Sequence, residues 1–152
     1  MRLFNLVFSM VLALALTGCS NKDKDPGCTT AAEDDAKMQK YISDNSITAT
    51  KHASGLYYQI INPGTGATPT LTSTVKANYT GKFTNNTSFD GRIASFPLGR
   101  VIEGWQIGIP LIKQGGKIKL IVPPYLAYRC NDYNGIPGNS VLVFDVELLE
   151  VN

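Results

Sequence analysis

Cysteine and histidine, two residue types often found as nucleophiles, acid–base groups and metal ligands, are scarce in this 152-residue sequence. The chain has three Cys and one His, too few for a zinc site built from separated pairs of ligands. The single His, His52, falls in a polar stretch, where a surface position is a better interpretation than a catalytic or ligand role. We therefore expect neither a metal nor a cofactor.

The first cysteine, Cys19, directly follows an apolar segment. Residues 3–16 are almost all apolar and follow Arg2, and they are shorter than the roughly 20 residues that span a bilayer. This pattern is typical of a secretory signal. Its end, Leu16-Thr17-Gly18-Cys19, resembles the bacterial lipoprotein box, in which the Cys becomes the first mature residue and carries acyl chains. A plain signal peptide with an unrelated Cys is the alternative.

The lipoprotein interpretation predicts where the mature protein resides. Residues 1–18 would be the signal peptide, and residues 19–28 would be the lipid anchor and a polar, flexible tether. Two or more acyl chains would hold the protein stably on a bacterial membrane in the cell envelope. That membrane would be the outer membrane, facing the periplasm or the cell surface. The net charge of +2 gives no electrostatic reason to expect nucleic-acid binding.

The two other cysteines, Cys28 and Cys130, are candidates for a disulfide, because paired Cys outside the cytoplasm are often bridged. Such a bridge would close a loop of about 100 residues and stabilise the fold by about 4–5 kcal/mol in the chain-entropy model. Two free thiols, or pairing with another chain, are the alternatives.

Residues 29–54 lack Gly and Pro and contain a helical pattern. Thr29 or Thr30 could cap a helix over residues 31–44, whose first turn is acidic. Met38, Tyr41 and Ile42 share one face at helical spacing. We expect this face to pack on the main domain, the alternative being recruitment of a partner.

Residues 55–152 hold most of the Gly and Pro, which separate short apolar runs as in a β-rich domain. Alternating or apolar runs predict strands over residues 56–61, 75–83, 117–122 and 141–151. Because these strands are apolar on one face and polar on the other, they predict an antiparallel sheet with one side in water.

A helical pattern over residues 101–109 ends at Pro110. Gly104 and Gly108 weaken it by about 1 kcal/mol each relative to Ala, so tertiary packing must hold it. A half-covered sheet with one short helix on its apolar face is an α+β arrangement. In such a protein Phe89, Trp105 and Phe144 would ordinarily be core residues, and Asp90 before Gly91 a turn residue.

Seven motifs in order change that interpretation. They are Tyr79-Thr80-Gly81, Phe89-Asp90, Phe96-Pro97-Leu98-Gly99, Val101-Ile102-Glu103-Gly104-Trp105, Gly115-Gly116-Lys117, Ile121-Val122-Pro123-Pro124-Tyr125-Leu126-Ala127-Tyr128 and Leu142-Val143-Phe144-Asp145-Val146-Glu147-Leu148. Residues 55–151 thereby resemble an FKBP-type peptidyl-prolyl cis–trans isomerase domain. The resemblance implies a twisted antiparallel sheet of about five strands wrapped around one short helix, here preceded by the N-terminal helix.

The resemblance also implies a pocket for proline. Trp105 would form its floor, Tyr79 would hold the Asp90 carboxylate, and Tyr128 would donate to a carbonyl at the rim. The Ile102 amide would donate to the substrate carbonyl. The remaining implied wall residues are Phe89, Val101, Ile136 and Phe144.

Several positions depart from the family pattern. Ala94 stands where the family often has a second aromatic residue, and Arg129 stands where Gly usually follows the pocket Tyr. The rim loop over residues 129–139 is distinct, and the segment over residues 90–96 is short. These departures bear on substrate preference and catalytic strength.

Two functions follow as hypotheses. The first is a membrane-anchored peptidyl-prolyl isomerase that assists the folding of exported proteins; the second is an FKBP-like binding or chaperone module with weak or no turnover. The retained aromatic set with Asp90 favours the enzyme, and the Ala94 and Arg129 departures favour the module. Expected ligands are proline-containing polypeptides and, by resemblance, rapamycin-type macrolides. No dimerisation helix is evident, so a monomer is expected.

Overall fold

A computed structural model describes residues 27–152; the predicted signal peptide, Cys19 and most of the tether lie outside this range. The two α-helices in it are α1 (Ala31–Asp44) and α2 (Glu103–Gly108). The strands are β1 (Thr50–Lys51), β2 (Tyr57–Asn62), β3 (Thr74–Phe83), β4 (Ser88–Pro97), β5 (Lys117–Val122) and β6 (Leu142–Val151).

The six strands of the described chain form one antiparallel sheet in the order β1-β2-β5-β6-β3-β4. The α+β prediction is confirmed, and the two-residue β1 is the strand beyond the expected five. The hydrophobic pattern did not predict β4, an edge strand that contains Gly91 and ends at Pro97. Both residues are uncommon in central strands and tolerated at edges, so β4 carries a weak strand signal.

The main core lies between one face of the sheet and α2. Alternate residues of β3 and β6, such as Ala77 and Leu148, point into it, as the period-2 pattern predicted. Helix α2 approaches β5 closely through its glycines. A Cβ added at Gly104 would lie 2.5 Å from Val122 Cγ1, and one added at Gly108 would lie 2.5 Å from Leu120 Cδ2. This close packing explains why a helix with two glycines is retained.

Helix α2 is shorter than the predicted 101–109 segment. Its α-helical part ends at Gly108, and a 3-10 turn over Ile109–Leu111 follows. Pro110 lies inside that turn; it has no N–H to continue the α-helical ladder, so the tighter turn completes the segment.

Helix α1 has the predicted bounds, and its N-cap is Thr30 in a capping box with Glu33. Met38 and Tyr41 are buried against a second cluster formed by Tyr57, Ile121 and Val143. These three strand residues lie on the face opposite the main core, because their neighbours Leu120 and Val122 point the other way. The apolar face of α1 thus packs on the main domain, as predicted, and the outer sheet face, which was predicted to lie in water, is partly covered by α1.

The uncovered part of the outer face is lined with paired charges. Cross-strand ion pairs join Lys76 to Glu150 at 2.7 Å and Lys117 to Glu147 at 3.3 Å, and Asp145 pairs with two further lysines. Lys117 and Lys119 therefore have a structural role on this solvated face. None of the helices in the described part of the chain has the length and hydrophobicity to span a bilayer.

Candidate active site

An aromatic cavity of about 470 Å³ opens at one end of the main core. Its walls come from β3, β4, β6, α2 with the residues just before it, and the loop between β5 and β6. The lining includes all nine residues of the expected pocket, Tyr79, Phe89, Asp90, Val101, Ile102, Trp105, Tyr128, Ile136 and Phe144. The fold therefore brings together residues spread over more than sixty sequence positions.

Trp105, on α2, is surrounded by other aromatic rings. It meets Tyr79, Phe144 and Phe96 edge-to-face, with ring centroids 5.1, 5.4 and 5.7 Å away. The side chain is 4% exposed, and its buried Nε1 has no hydrogen-bond partner among the described residues. Because the polar edge of the indole is buried, the ring contributes an apolar surface to the cavity.

Tyr79 and Asp90 form a hydrogen-bonded polar pair in the wall of the cavity. The Tyr79 hydroxyl donates to Asp90 Oδ2 at 2.5 Å, and the Gly91 amide donates to Asp90 Oδ1 at 2.8 Å. Burial, together with the hydrogen bond to Asp90 and its charge, raises the pKa of Tyr79 to about 12. Tyr79 is thus a protonated donor at physiological pH, and it fixes the direction of the carboxylate.

A β-bulge places two successive β4 residues in the same cavity. Gly81 pairs with Asp90 and Lys82 pairs with Ser88, so Phe89 has no partner on β3. An extra residue in one strand breaks the strict alternation of side chains, which lets Phe89 and Asp90 both line the cavity. A Cβ at Gly81 would lie 2.6 Å from the Phe89 ring, so this glycine makes room for it.

Two hydrogen-bond donors at the cavity have no acceptor within the described chain. The Ile102 amide immediately precedes α2, and only its carbonyl is used, by Trp105 and Gln106. The Tyr128 hydroxyl likewise makes no hydrogen bond to a described residue, and burial raises the pKa of this phenol. Both groups are available to a carbonyl oxygen that enters the cavity.

The rim is shaped by a tight hairpin in the loop between β5 and β6. Tyr133 and Ile136 exchange backbone hydrogen bonds of 2.9 and 2.8 Å around Asn134 and Gly135, which both have positive φ. Asn-Gly is the favoured pair for such a two-residue turn. The Tyr133 ring stacks on Tyr128 at 4.3 Å. The turn therefore adds a second tyrosine to the rim.

The rim loop is joined to the segment before α1. A disulfide connects Cys28 to Cys130, which are 102 positions apart in the sequence and have Cα atoms 4.8 Å apart. Asn139 strengthens the junction, since its side chain donates to the Gly27 carbonyl and accepts from the Thr29 amide, both at 2.9 Å. The start of the described chain thus restrains the same loop that carries Tyr128 and Tyr133.

The structure shows where the two residues that depart from the family pattern, Ala94 and Arg129, lie relative to the cavity. Ala94 pairs with Ala77 and does not line the cavity, whereas Phe96 does. Arg129 has φ of 59°, the left-handed backbone for which glycine is suited. Four further residues of the lining were not predicted from the sequence: Arg92, Arg100, Tyr133 and Asn134. Only the Asn-Gly pair gave a local signal that could have found any of them.

The described residues hold no cluster of His, Cys, Asp or Glu arranged to bind a metal. The cavity lining offers apolar ring surface, a fixed carboxylate, two open donors and two guanidinium groups. This set suits recognition and distortion of an amide rather than attack on it.

Comparison with known proteins places this geometry in a family context. The family model for the FKBP-type peptidyl-prolyl cis–trans isomerase matches residues 66–149. The isomerase FkpA from Aeromonas hydrophila is 43% identical over 138 residues, which are 85% of this chain and 49% of that protein. FkpA from Escherichia coli K12 is 42% identical over 134 residues, covering 76% of this chain and 50% of that protein. The chain spans about half the length of these relatives.

Solved structures agree with the sequence match. The crystal structure of Escherichia coli FkpA aligns with a TM-score of 0.72 at 42% identity, covering 80% of this chain and 61% of that one. The crystal structure of AtFKBP13 aligns with a TM-score of 0.61 at 32% identity, covering 68% of this chain and 98% of that one. The shared fold thus extends across relatives of different length.

Proposed function

Because the chain belongs to the FKBP-type peptidyl-prolyl cis–trans isomerase family, we propose that its aromatic cavity catalyses cis–trans isomerisation of X–Pro bonds in polypeptides. The observation that carries the proposal is the cavity itself, in which Trp105 lies under an aromatic wall and Tyr79 fixes the Asp90 carboxylate. Proline-containing segments of exported proteins are the proposed substrates.

The reaction requires no covalent intermediate. The X–Pro bond rotates over a barrier of about 20 kcal/mol, because rotation removes the resonance of the planar imide. Water stabilises the planar form through its polarised carbonyl. A dry aromatic cavity disfavours that form relative to the twisted one, and lowering the barrier by about 5 kcal/mol would accelerate rotation a few thousand-fold.

Each cavity group has a role in this proposal. The proline ring rests on the apolar face of Trp105, and the open Ile102 amide and Tyr128 hydroxyl hold the carbonyls on either side of it. Asp90 is already oriented by Tyr79 and Gly91, so it acts through charge and hydrogen bonding at the twisting imide. No proton transfer is needed.

A protein-refolding assay tests the proposed activity. The rate of the proline-limited refolding phase of a substrate protein should rise in proportion to the concentration of this chain. Substrate molecules whose X–Pro bonds already have their native isomers should refold at an unchanged rate. A wild-type chain that leaves the slow phase unchanged would reject the enzyme.

The second candidate is a binding or chaperone module that holds proline-containing segments with weak or no turnover. The stacking of the exposed Tyr133 on the half-buried Tyr128 favours it, since the pair extends the aromatic surface of the rim beyond the part of the cavity that would hold the proline. The two candidates separate in one experiment. A module would bind an X–Pro peptide and suppress aggregation of an unfolded protein, while leaving the exchange rate between cis and trans peptide unchanged.

We further propose that the protein is a lipoprotein of the bacterial cell envelope, anchored through Cys19. The support is the Leu16-Thr17-Gly18-Cys19 sequence after an apolar segment, and the polar residues that follow it. In this proposal residues 19–28 form the lipid anchor and tether, residues 29–54 form the segment that contains α1, and residues 55–152 form the main domain. Wild-type protein should partition with membranes and incorporate labelled fatty acid, and Cys19→Ala should do neither. Unlabelled wild-type protein in the soluble fraction would reject the anchor.

A further inference from the structure

Two arginines line the cavity without an acidic partner among residues 27–152. Arg92 lies on β4, and Arg100 ends the 3-10 turn over Leu98–Arg100 that leads into Val101 and α2. Both are exposed, and neither forms an ion pair with a described residue, although most lysines of the outer sheet face do. Neither guanidinium group therefore stabilises the fold through an ion pair within the described part of the chain.

The carboxylate in the same cavity does not neutralise them. Asp90 accepts hydrogen bonds from the Tyr79 hydroxyl and the Gly91 amide, one on each oxygen. The charged lining is thus one carboxylate against two guanidinium groups, a net positive charge at the mouth of an otherwise aromatic cavity.

We propose that Arg92 and Arg100 select substrates in which an acidic residue lies one or two positions from the isomerising proline. This inference rests on the proposed function, since it names a substrate class for the same cavity. A guanidinium presents several N–H donors in a plane that matches a carboxylate, which makes arginine suited to this recognition.

The positions of the two arginines fit this role. Arg92 is the cross-strand partner of Tyr79, and Arg100 is the neighbour of Val101, so both lie next to residues of the pocket proposed to bind the proline. Arg92 also lies close enough to the Tyr79 hydroxyl to lower its pKa against the larger effect of burial. Since an extended peptide advances about 3.3–3.6 Å per residue, side chains next to the proline pass over this rim.

The test compares two peptides that differ only in Glu or Gln beside an X–Pro bond. Trp105 is the single tryptophan, so its fluorescence reports binding at the cavity directly and without any need for turnover. The wild type should bind the Glu peptide about three- to tenfold more tightly at low salt, and the preference should fade as salt screens exposed charges. Placing Glu before the proline in one peptide and after it in another shows which of the two positions each arginine recognises.

Charge-matched variants assign the preference. Arg92→Gln and Arg100→Gln should each reduce the Glu/Gln affinity ratio, the double variant should bring it to about one, and Arg92→Lys should retain part of it. Lys113→Gln removes an exposed charge outside the cavity lining and should leave the ratio unchanged. Equal affinity of the wild type for both peptides would overturn the inference and leave the proposed function standing. Binding of neither peptide would contradict the proposed function, and the inference with it.

Discussion

The Tyr79 hydroxyl donates to the Asp90 carboxylate across 2.5 Å, joining neighbouring strands at the wall of the aromatic cavity. Asp90 stands opposite Gly81, two residues beyond Tyr79 on β3, and the bulge at Phe89 turns the carboxylate toward the same cavity. The pair therefore depends on strand register as much as on residue type. It also provides the most direct way to perturb the polar part of the site.

We predict that Tyr79 and Asp90 act as a unit. Tyr79→Phe and Asp90→Ala should each slow isomerisation by about tenfold, within the range expected for losing a hydrogen bond to a charged group. The double variant should lose little more than either single one, because both changes remove the same interaction. Exchange rates of an X–Pro peptide measured by NMR check this. Multiplicative losses would show that the two residues act independently.

The pH dependence of this pair follows from Tyr79. Its pKa is raised from the ordinary 10.0 to about 12, so the protonated form is favoured by folding. The stabilisation it provides is complete below about pH 10 and is lost as the pH rises toward 12. Isomerisation should therefore be flat from about pH 7 to about pH 10. The gap in unfolding free energy between wild type and Tyr79→Phe should close only above that range.

Gly81→Ala should disturb the cavity without touching a polar group. The new Cβ would lie 2.6 Å from the Phe89 ring and 3.0 Å from Phe144, so a ring must move. We expect a loss of stability of about 1–3 kcal/mol and weaker peptide binding. Gly27→Ala is the matched control, because a Cβ there meets nothing within 4 Å. Unchanged peptide affinity in Gly81→Ala would show that the position of the Phe89 ring does not affect proline binding in the cavity.

Reduction of the Cys28–Cys130 disulfide should destabilise the fold and loosen the rim. The bridge spans 102 residues, and releasing so long a loop would cost about 4–5 kcal/mol in the chain-entropy model. Chemical denaturation with and without reductant measures this, with Cys28→Ser/Cys130→Ser as the reductant-insensitive control. NMR signals of Tyr128 and Tyr133 should broaden or shift on reduction. Identical denaturation curves would mean that the bridge contributes nothing.

Arg129→Gly should stabilise the protein. Arg129 has a φ of 59°, a left-handed conformation that costs a residue with a Cβ about 1–2 kcal/mol. Glycine adopts it without this cost, although it also gives the unfolded chain more freedom, so we expect a net gain of about 1 kcal/mol. Arg129→Ala, which removes the side chain but keeps the Cβ, should be nearly neutral. A destabilised glycine variant would show that the arginine side chain itself supports the rim.

The sequence predicted regular elements well where one period ran without interruption. Helix α1 and the strands around Tyr79 and Phe144 follow their hydrophobic patterns within a residue or so. Strand β4 was missed because Gly91 and Pro97 mask it, and because its bulge breaks the alternation on which strand prediction depends. That strand carries Phe89 and Asp90, so their convergence could only come from the family resemblance.

The rest of the site depends on tertiary contacts that leave little trace in the sequence. Arg92 and Arg100 look like ordinary surface charges, and only the register of β4 and the turn before α2 bring them to one cavity. The packing of α1 on the main domain was predicted, but the residues that it covers, Tyr57 and Val143, were not, since they stand between core positions in buried runs. A hydrophobic pattern indicates which residues are buried, but it does not indicate which helix or strand packs on them.

Cis–trans exchange of an X–Pro peptide, followed by NMR at equilibrium, shows directly whether this cavity catalyses isomerisation. We predict that catalytic amounts of wild type raise the exchange rate without changing the cis fraction. Asp90→Ala/Trp105→Leu should abolish this acceleration while remaining folded by circular dichroism. An exchange rate that wild type leaves unchanged, or that the folded double variant raises equally, would contradict the claim that this cavity is a prolyl isomerase site.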